Sequence, residues 1–160
     1  MRSLRVILGI VGAMLWTAAC SESGPTGLAE TTTLAEITPP AGATRVDPAG
    51  SIMVRFSGAM GAGMERYMNL YQVDVAGPLV PMNCTWSSDR MTLTCTPGRL
   101  LQSSTLHTIY LGSGMMDADG HVVDTEQQGK QLGGHLVTGQ MMGPMHSGGP
   151  GGMVFTFETR

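Results

Sequence analysis

Residues 37–60 read ITPPAGATRVDPAGSIMVRFSGAM, and the strand pattern near the end of this stretch decides the fold class. Ile52, Val54 and Phe56 alternate with the two residues between them, which is the period of two that is typical of a strand with one buried face. The segments PPAGA and DPAG precede this strand, and their proline and glycine residues favour tight turns. The stretch therefore predicts short strands separated by turns.

The same pattern recurs along the rest of the chain. Strand-like segments read YMNLYQVDV (residues 67–75), TLHTIYL (105–111) and MVFTFET (153–159), and the turn signals VAGP, SSDR and DADG lie between them. Helix is predicted only as single turns near residues 63–67 and 99–103. Short strands at this spacing predict an all-β sandwich.

The chain has three cysteines, and an odd number needs an explanation in an oxidising compartment. Cys84 and Cys95 lie in VPMNCTWSSDRMTLTC, on either side of a turn signal at residues 87–90. A hairpin through this turn would bring the two cysteines opposite each other, so we predict a disulfide bond between them. A redox role is not expected, because the chain has no C-x-x-C motif.

The first twenty residues, MRSLRVILGIVGAMLWTAAC, have the features of a secretory signal. Two arginines precede an apolar run from Val6 to Trp16, which is shorter than the roughly 20 residues that span a bilayer. The small residues before Cys20 resemble a bacterial lipobox, in which the cysteine becomes the lipidated first residue, although Thr17 stands where that motif usually has Leu. Cleavage by the ordinary signal peptidase after Ala19 is the alternative.

Lipidation of Cys20 would make the polar segment SESGPTGLAETTT, residues 21–33, a flexible tether. The predicted organisation is a signal peptide at residues 1–19, a lipid-anchored tether at 20–33 and one globular domain at 34–160. The expected partner is then a membrane, reached through the lipid anchor. The expected location is the cell envelope, either in the periplasm or on the cell surface.

Composition and motifs argue against two classes of function. Nine basic and twelve acidic residues give a formal net charge of −3, and no basic run exists, so nucleic acid is not expected as a partner. The sequence contains no G-x-S-x-G, H-E-x-x-H, Walker or G-x-G-x-x-G motif. We therefore predict that the protein is not an enzyme and has no catalytic residues.

The order of these segments resembles the bacterial Ig-like domain of SbsA-type S-layer proteins. The stretch at residues 37–60 is similar to that family's opening, the stretch at 87–124 to its hairpin, following strand and D-x-x-G turn, and FTFET to its closing strand. The opening match rests on Pro40, Gly42, Val46, Ile52, Val54, Phe56, Ser57 and Met60. The resemblance implies an Ig-like β-sandwich of about seven strands, with an insertion at about residues 125–152 before the last strand. It also implies a structural or interaction role at the cell envelope, with an envelope protein or a surface polymer as partner.

The predicted insertion is rich in residues that bind soft metal ions. Residues 138–154 read TGQMMGPMHSGGPGGMV, and thioether sulfur selects Cu(I) while imidazole binds copper in either oxidation state. The chain also resembles the periplasmic copper-resistance proteins of the CopC type, which are Ig-like sandwiches with a Met-rich loop. The candidate ligands are Met141, Met142, Met145, His146, Met153 and His135.

These ligands predict an alternative function as a periplasmic lipoprotein that binds copper or silver. The CopC-type Cu(II) site uses the N-terminal His of the mature protein, whereas Cys20 is the N-terminus predicted here, so only the Cu(I) type of site could carry over. The other interpretation is a plain loop without a cofactor, because the chain's 14 methionines are spread along it and a Gly/Pro-rich stretch is typical of a flexible loop. A plain loop predicts that a short linker can replace residues 128–151 without loss of the fold.

Two further features concern carboxylate and imidazole groups. DADGHVVD, residues 117–124, carries spaced carboxylates at Asp117, Asp119 and Asp124 that could hold Ca²⁺, but Asp-Gly is a common hairpin turn and no Glu closes an EF-hand loop. A turn is therefore favoured. His107 stands where the SbsA-type family usually has Tyr, and it is predicted to be a buried core residue.

Overall fold

The computed structural model describes residues 31–138 and 151–160 and shows a β-sandwich. Its strands are β1 (Leu34–Thr38), β2 (Ala43–Val46), β3 (Ile52–Phe56), β4 (Met68–Gln72), β5 (Leu79–Val80), β6 (Met82–Trp86), β7 (Thr92–Pro97), β8 (Leu106–Gly112), β9 (His135–Thr138) and β10 (Gly151–Thr159). A helix, α1 (Thr125–Gln131), and a 3₁₀ turn at Met64–Tyr67 are the helical elements of these residues. None of the helices in this part of the chain is long and apolar enough to cross a membrane. The predicted all-β sandwich is confirmed, but the described residues form ten strands where about seven were predicted.

The strands form two sheets. The smaller sheet has four strands in the order β1-β3-β7-β6, and all of its pairs are antiparallel. The larger sheet has six strands in the order β2-β10-β8-β4-β5, with β9 as an additional partner of β10. Strand β10 pairs in parallel with β2 and antiparallel with β8 and β9, so the end of the chain lies in the middle of the larger sheet.

The core lies between the two sheets and is filled by alternate residues of the strands. Ile52, Val54 and Phe56 of β3 are at most 1% exposed, as their spacing predicted. Phe155 and Phe157 of β10 are equally buried and face them from the larger sheet. Burying side chains of this size stabilises the fold by about 1.5–3 kcal/mol each, so these strands carry much of the stability.

The structure corrects the interpretation of residues 125–138 as part of a loop. Asp124 is the N-cap of helix α1, and its carboxylate accepts hydrogen bonds from the backbone N–H groups of Glu126 at 2.9 Å and Gln127 at 3.1 Å. Strand β9 pairs with β10 along its whole length, with Thr138 opposite Gly151 and His135 opposite Val154. The helical turn predicted near residues 63–67 is present as the 3₁₀ turn, whereas residues 99–103 are not helical.

Two glycines allow α1 and β9 to pack on the core. A Cβ atom on Gly129 would lie 2.8 Å from the Met153 methyl carbon, and one on Gly134 would lie 2.6 Å from a ring carbon of Phe155. Real Cβ atoms do not approach other atoms that closely, so glycine is needed for this contact. Leu132, between them, packs half-buried against the same core. This part of the predicted insertion therefore covers core side chains.

Candidate functional site

The predicted disulfide bond is present in the hairpin formed by β6 and β7. Cys84 and Cys95 are bonded, they lie directly opposite each other, and their Cα atoms are 4.0 Å apart. Trp86 pairs with Leu93 two positions further along the hairpin. Cys95 is fully buried in the core. The bond is structural, since it joins neighbouring strands beneath the surface, and such bonds persist in oxidising compartments.

The turn of this hairpin is attached to the 3₁₀ turn by polar contacts that the sequence did not reveal. The indole N–H of Trp86 donates to Glu65 Oε2 at 2.9 Å, and this hydrogen bond holds the pKa of the Glu65 carboxyl below its ordinary value. The Arg90 guanidinium lies 5.5 Å from the centre of the Trp86 ring and donates to the carbonyl oxygens of Met60 and Gly61. These contacts fix the position of Trp86 at the edge of the core.

Most of the predicted Cu(I) ligands fall outside the described residues. Met141, Met142, Met145 and His146 belong to residues 139–150, and the lipidation candidate Cys20 belongs to residues 1–30. The roles predicted for these residues remain predictions. The structure does place the two remaining ligand candidates, which are His135 and Met153.

His135 and Met153 lie on opposite faces of the larger sheet. Met153 is 0% exposed and belongs to the main core. His135 is exposed and lies opposite Val154, whose side chain belongs to a separate cluster with Tyr71 and Tyr110 on the outer face. Residues directly opposite each other in a ladder share a face, so His135 is on that outer face. Met153 is therefore corrected from a candidate ligand to a core residue.

The segment DADG forms the predicted turn, and its first residue organises it. Asp117 is 6% exposed, and its Oδ1 accepts hydrogen bonds from the backbone N–H groups of Asp119 at 3.0 Å and His121 at 2.8 Å. The bridge between Met116 and Val122 closes the turn. Asp124, the third carboxylate of the segment, caps α1 instead of facing the turn as a ligand. The geometry matches the favoured interpretation of a turn rather than a calcium loop.

A smaller group of possible metal ligands remains at this turn. Three potential ligand atoms lie within 4.8 Å of one another, one each from Asp117, Asp119 and His121. The His121 Nδ1 atom is 3.5 Å from Asp117 Oδ2. Burial raises the pKa of the Asp117 carboxyl, but the backbone N–H groups of His121 and Asp119, the Thr32 side chain and the charge of His121 together hold it below its ordinary value. Asp117 is therefore a carboxylate at neutral pH, and carboxylate with imidazole is a combination that divalent cations accept.

His107 is a buried core residue, as predicted. It is 1% exposed, and its ring stacks on Phe157 with centroids 5.4 Å apart and an interplanar angle of 17°. Its Nδ1 is 3.0 Å from the carbonyl oxygen of Thr105. A carbonyl only accepts hydrogen bonds, so Nδ1 carries the hydrogen and Nε2 is left with a lone pair. Burial lowers the pKa of the imidazole, which keeps it neutral.

Several solved structures are similar to this chain at low sequence identity. The S-layer protein rSbsC(31-844) is 13% identical with a TM-score of 0.47, and the match covers 81% of this chain but 14% of that one. CopC from Methylosinus trichosporium OB3b is 16% identical with a TM-score of 0.45, covering 80% and 92% of the two chains. PcoC, a copper resistance protein from Escherichia coli, is 13% identical with a TM-score of 0.49, covering 79% and 98%. Likeness at this level carries no argument about function.

Sequence comparison gives the family. No curated protein matches the chain. Residues 29–129, well over half of the chain, match the family of the bacterial Ig-like domain. The chain belongs to the bacterial Ig-like domain family.

Proposed function

We propose that this protein is a non-enzymatic module of the cell envelope, with a structural or interaction role, held near a membrane by a lipid on Cys20. The observation that supports this proposal is the state of the cysteines. Cys84 and Cys95 are bonded to each other, which leaves Cys20 as the one remaining cysteine of three. A disulfide-bonded domain belongs in an oxidising compartment, where a free surplus thiol is a liability that lipidation removes.

The chain between Cys20 and the sandwich suits a tether. The first strand begins at Leu34, and the residues before it are polar and rich in Gly, Pro and Thr. A flexible coil of this length has an average end-to-end distance of roughly 20 Å, which lifts a domain clear of a lipid surface. The partner of the tethered domain is an envelope protein or a surface polymer.

Detergent partitioning of a Cys20 variant tests the anchor. The parent protein, expressed in a bacterial host, should enter the detergent phase, because a lipidated N-terminus has high affinity for micelles. Cys20→Ala should enter the aqueous phase or remain an uncleaved precursor. The matched control is Ser21→Ala, which changes the neighbouring residue and should partition like the parent. A Cys20→Ala protein that is cleaved and still enters the detergent phase would refute lipidation.

The alternative function is a lipoprotein that binds Cu(I) or Ag(I). One observation supports it: Thr138 and Gly151 are opposite each other in the β9–β10 pair, so the two described residues that flank residues 139–150 lie side by side in the sheet. Met141, Met142, Met145 and His146 all lie in the sequence between these two paired residues. His135 lies in the adjoining strand, on the exposed face.

Competition against a chromogenic Cu(I) chelator separates this alternative from a plain loop. Under the metal hypothesis the parent protein removes Cu(I) from the chelator, and a variant with Leu at Met141, Met142 and Met145 loses this ability. Met153→Leu is the matched control, because the buried Met153 is not a ligand and should be replaceable without effect on binding. A parent protein that binds neither Cu(I) nor Ag(I) more tightly than about 1 μM ends the metal hypothesis.

A further inference from the structure

One end of the sandwich contains a cavity that neither the proposed anchor nor the candidate metal ligands use. Its volume is about 360 Å³, which is within the range of sites for small molecules. It lies where β4 ends and β8 begins, beside the connection from β7 to β8. The lining residues are Gln72, Val80, Arg99, Leu100, Leu101, Gln102 and His107.

His107 brings an unused acceptor to this cavity. Its side chain is fixed on two sides, by the stacking on Phe157 and by the hydrogen bond from Nδ1 to Thr105, so Nε2 is the free end of the ring. Among the described residues Nε2 has no hydrogen-bond partner. An unpartnered atom can be either buried or open to solvent. Among the described residues, Asn69 Nδ2 is the only side-chain N or O atom that is both buried and without a hydrogen-bond partner, so His107 Nε2 is not in that class. Nε2 is therefore not sealed, and the cavity that His107 lines is the space open to it.

Two amide side chains lie beside the imidazole. Gln72 is the residue opposite His107 in the β4–β8 pair, and its Nε2 donates to Gln102 Oε1 at 2.5 Å. This contact uses one group of each amide. It leaves Gln72 Oε1 as an acceptor and the Gln102 amino group as a donor, so the polar wall of the cavity offers groups of both kinds.

The charge of the cavity is positive. Arg99 contributes the one charged side chain of the lining, and no carboxylate lies among the lining residues. Within the described ranges Arg99 forms no ion pair, since the four ion pairs found there involve other residues. A cavity with a guanidinium and without a carboxylate favours an anion over a metal cation.

From this arrangement we infer that the cavity binds a small carboxylate that also carries an N–H or O–H donor, such as an amino acid or the carboxyl end of a short peptide. The carboxylate pairs with Arg99, and the donor reaches Nε2 of His107. The two glutamine amides accept or donate along the rest of the ligand. Val80, Leu100 and Leu101 supply an apolar wall for a small side chain. The site is independent of the lipid anchor, so either proposal can fail without the other.

NMR titration of the full chain tests this inference, with the imidazole nitrogen resonances of His107 as the readout. The main probe is the dipeptide alanyl-alanine at about 10 mM, above the dissociation constant of about 1 mM expected for a small polar ligand. Three further ligands are controls. The dipeptide with an amidated C-terminus lacks the carboxylate, and acetate lacks the N–H or O–H donor. Free alanine distinguishes an amino-acid site from a peptide site. The Nε2 resonance should move as its lone pair accepts a hydrogen bond. The amide and acetate should each bind about tenfold more weakly than the better of alanine and the dipeptide.

Two variants establish where the probe binds. Arg99→Gln changes an exposed residue and keeps the fold, so it should weaken binding about tenfold without altering the thermal midpoint. His107→Phe keeps a ring against Phe157 but removes the acceptor. In the parent the side-chain amide signals of Gln72 and Gln102 should shift when the probe binds, and in this variant that shift should be lost. The inference is overturned if neither alanine nor the dipeptide moves the His107 resonance, if acetate binds as tightly as they do, or if Arg99→Gln binds them like the parent.

Discussion

Replacing residues 128–151 by a short Gly-Ser linker is expected to unfold the domain. The change removes the end of α1, all of β9 and the glycines that hold them against the core. Met153 and Phe155, both 0% exposed, would lose the backbone that lies on them at Gly129 and Gly134. Exposing two such side chains costs about 1.5–3 kcal/mol each, and the lost β9 pairing adds to this cost. Since the whole free energy of unfolding of a domain is about 5–15 kcal/mol, the change takes much or all of it.

The matched control puts the same linker in place of residues 140–149. It retains α1, β9 and the pairing of Thr138 with Gly151, so a short hairpin connection remains possible. Because the cost of closing a loop grows slowly with its length, this variant should still unfold cooperatively. Thermal unfolding followed by circular dichroism distinguishes the two proteins. Equal thermal midpoints in both would mean that α1 and β9 contribute nothing to the sandwich, as the loop interpretation assumed.

The sequence predicted the strands whose residues alternate strictly. In β3 and β10 one face is apolar at every second position, and that face is buried in both strands. The hairpin with Cys84 and Cys95 was predictable for a related reason, since a turn signal midway between two cysteines fixes which residues meet. Local periodicity and turn chemistry are enough for such elements because each contains its own pattern.

Helix α1 and strand β9 were not predicted, because their sequences carry little pattern. TEQQGKQ contains no apolar residue, so hydrophobic periodicity cannot reveal the helix. Its visible sequence cues are the cap at Asp124 and the ion pair of Glu126 with Lys130. It also packs against the core, where Gly129 lies on Met153, and this contact joins residues distant in sequence. Such contacts are a property of the folded chain and not of a window of sequence.

The candidate sites differ in the same way: some of their properties follow from the local sequence, and others depend on residues that are distant in sequence. The sulfur of Met153 makes it a candidate ligand by sequence, yet its alternation with Phe155 and Phe157 puts it on the buried face of β10. The cavity beside His107 gave no motif, because its polar groups come from β4, β8 and the connection between β7 and β8. Residues from three separate segments form a site only after the sheet has set their positions.

Loss of the Cys84–Cys95 bond is expected to lower the free energy of unfolding by about 2.8 kcal/mol. The two cysteines are 11 residues apart, and the figure is the entropy that cross-linking a loop of that length removes from the unfolded chain. For a domain of this size the thermal midpoint should fall by about 10 °C. The measurement is thermal unfolding of the parent protein before and after reduction, with thiol titration to confirm that the bond has opened.

The variant with Ala at both cysteines separates the cross-link from the packing of sulfur. Cys95 is 0% exposed and its Sγ contacts Met68 Sδ at 3.5 Å, so Ala at this position also leaves a small gap in the core. The double variant should therefore be less stable than the reduced parent, which keeps both sulfur atoms. If the reduced parent melts at the same temperature as the oxidised one, the bond does not stabilise the fold, and the hairpin is held by β6–β7 pairing and by burial of Leu93 and Cys95 alone. Two free thiols in the native protein before reduction would contradict the bond itself.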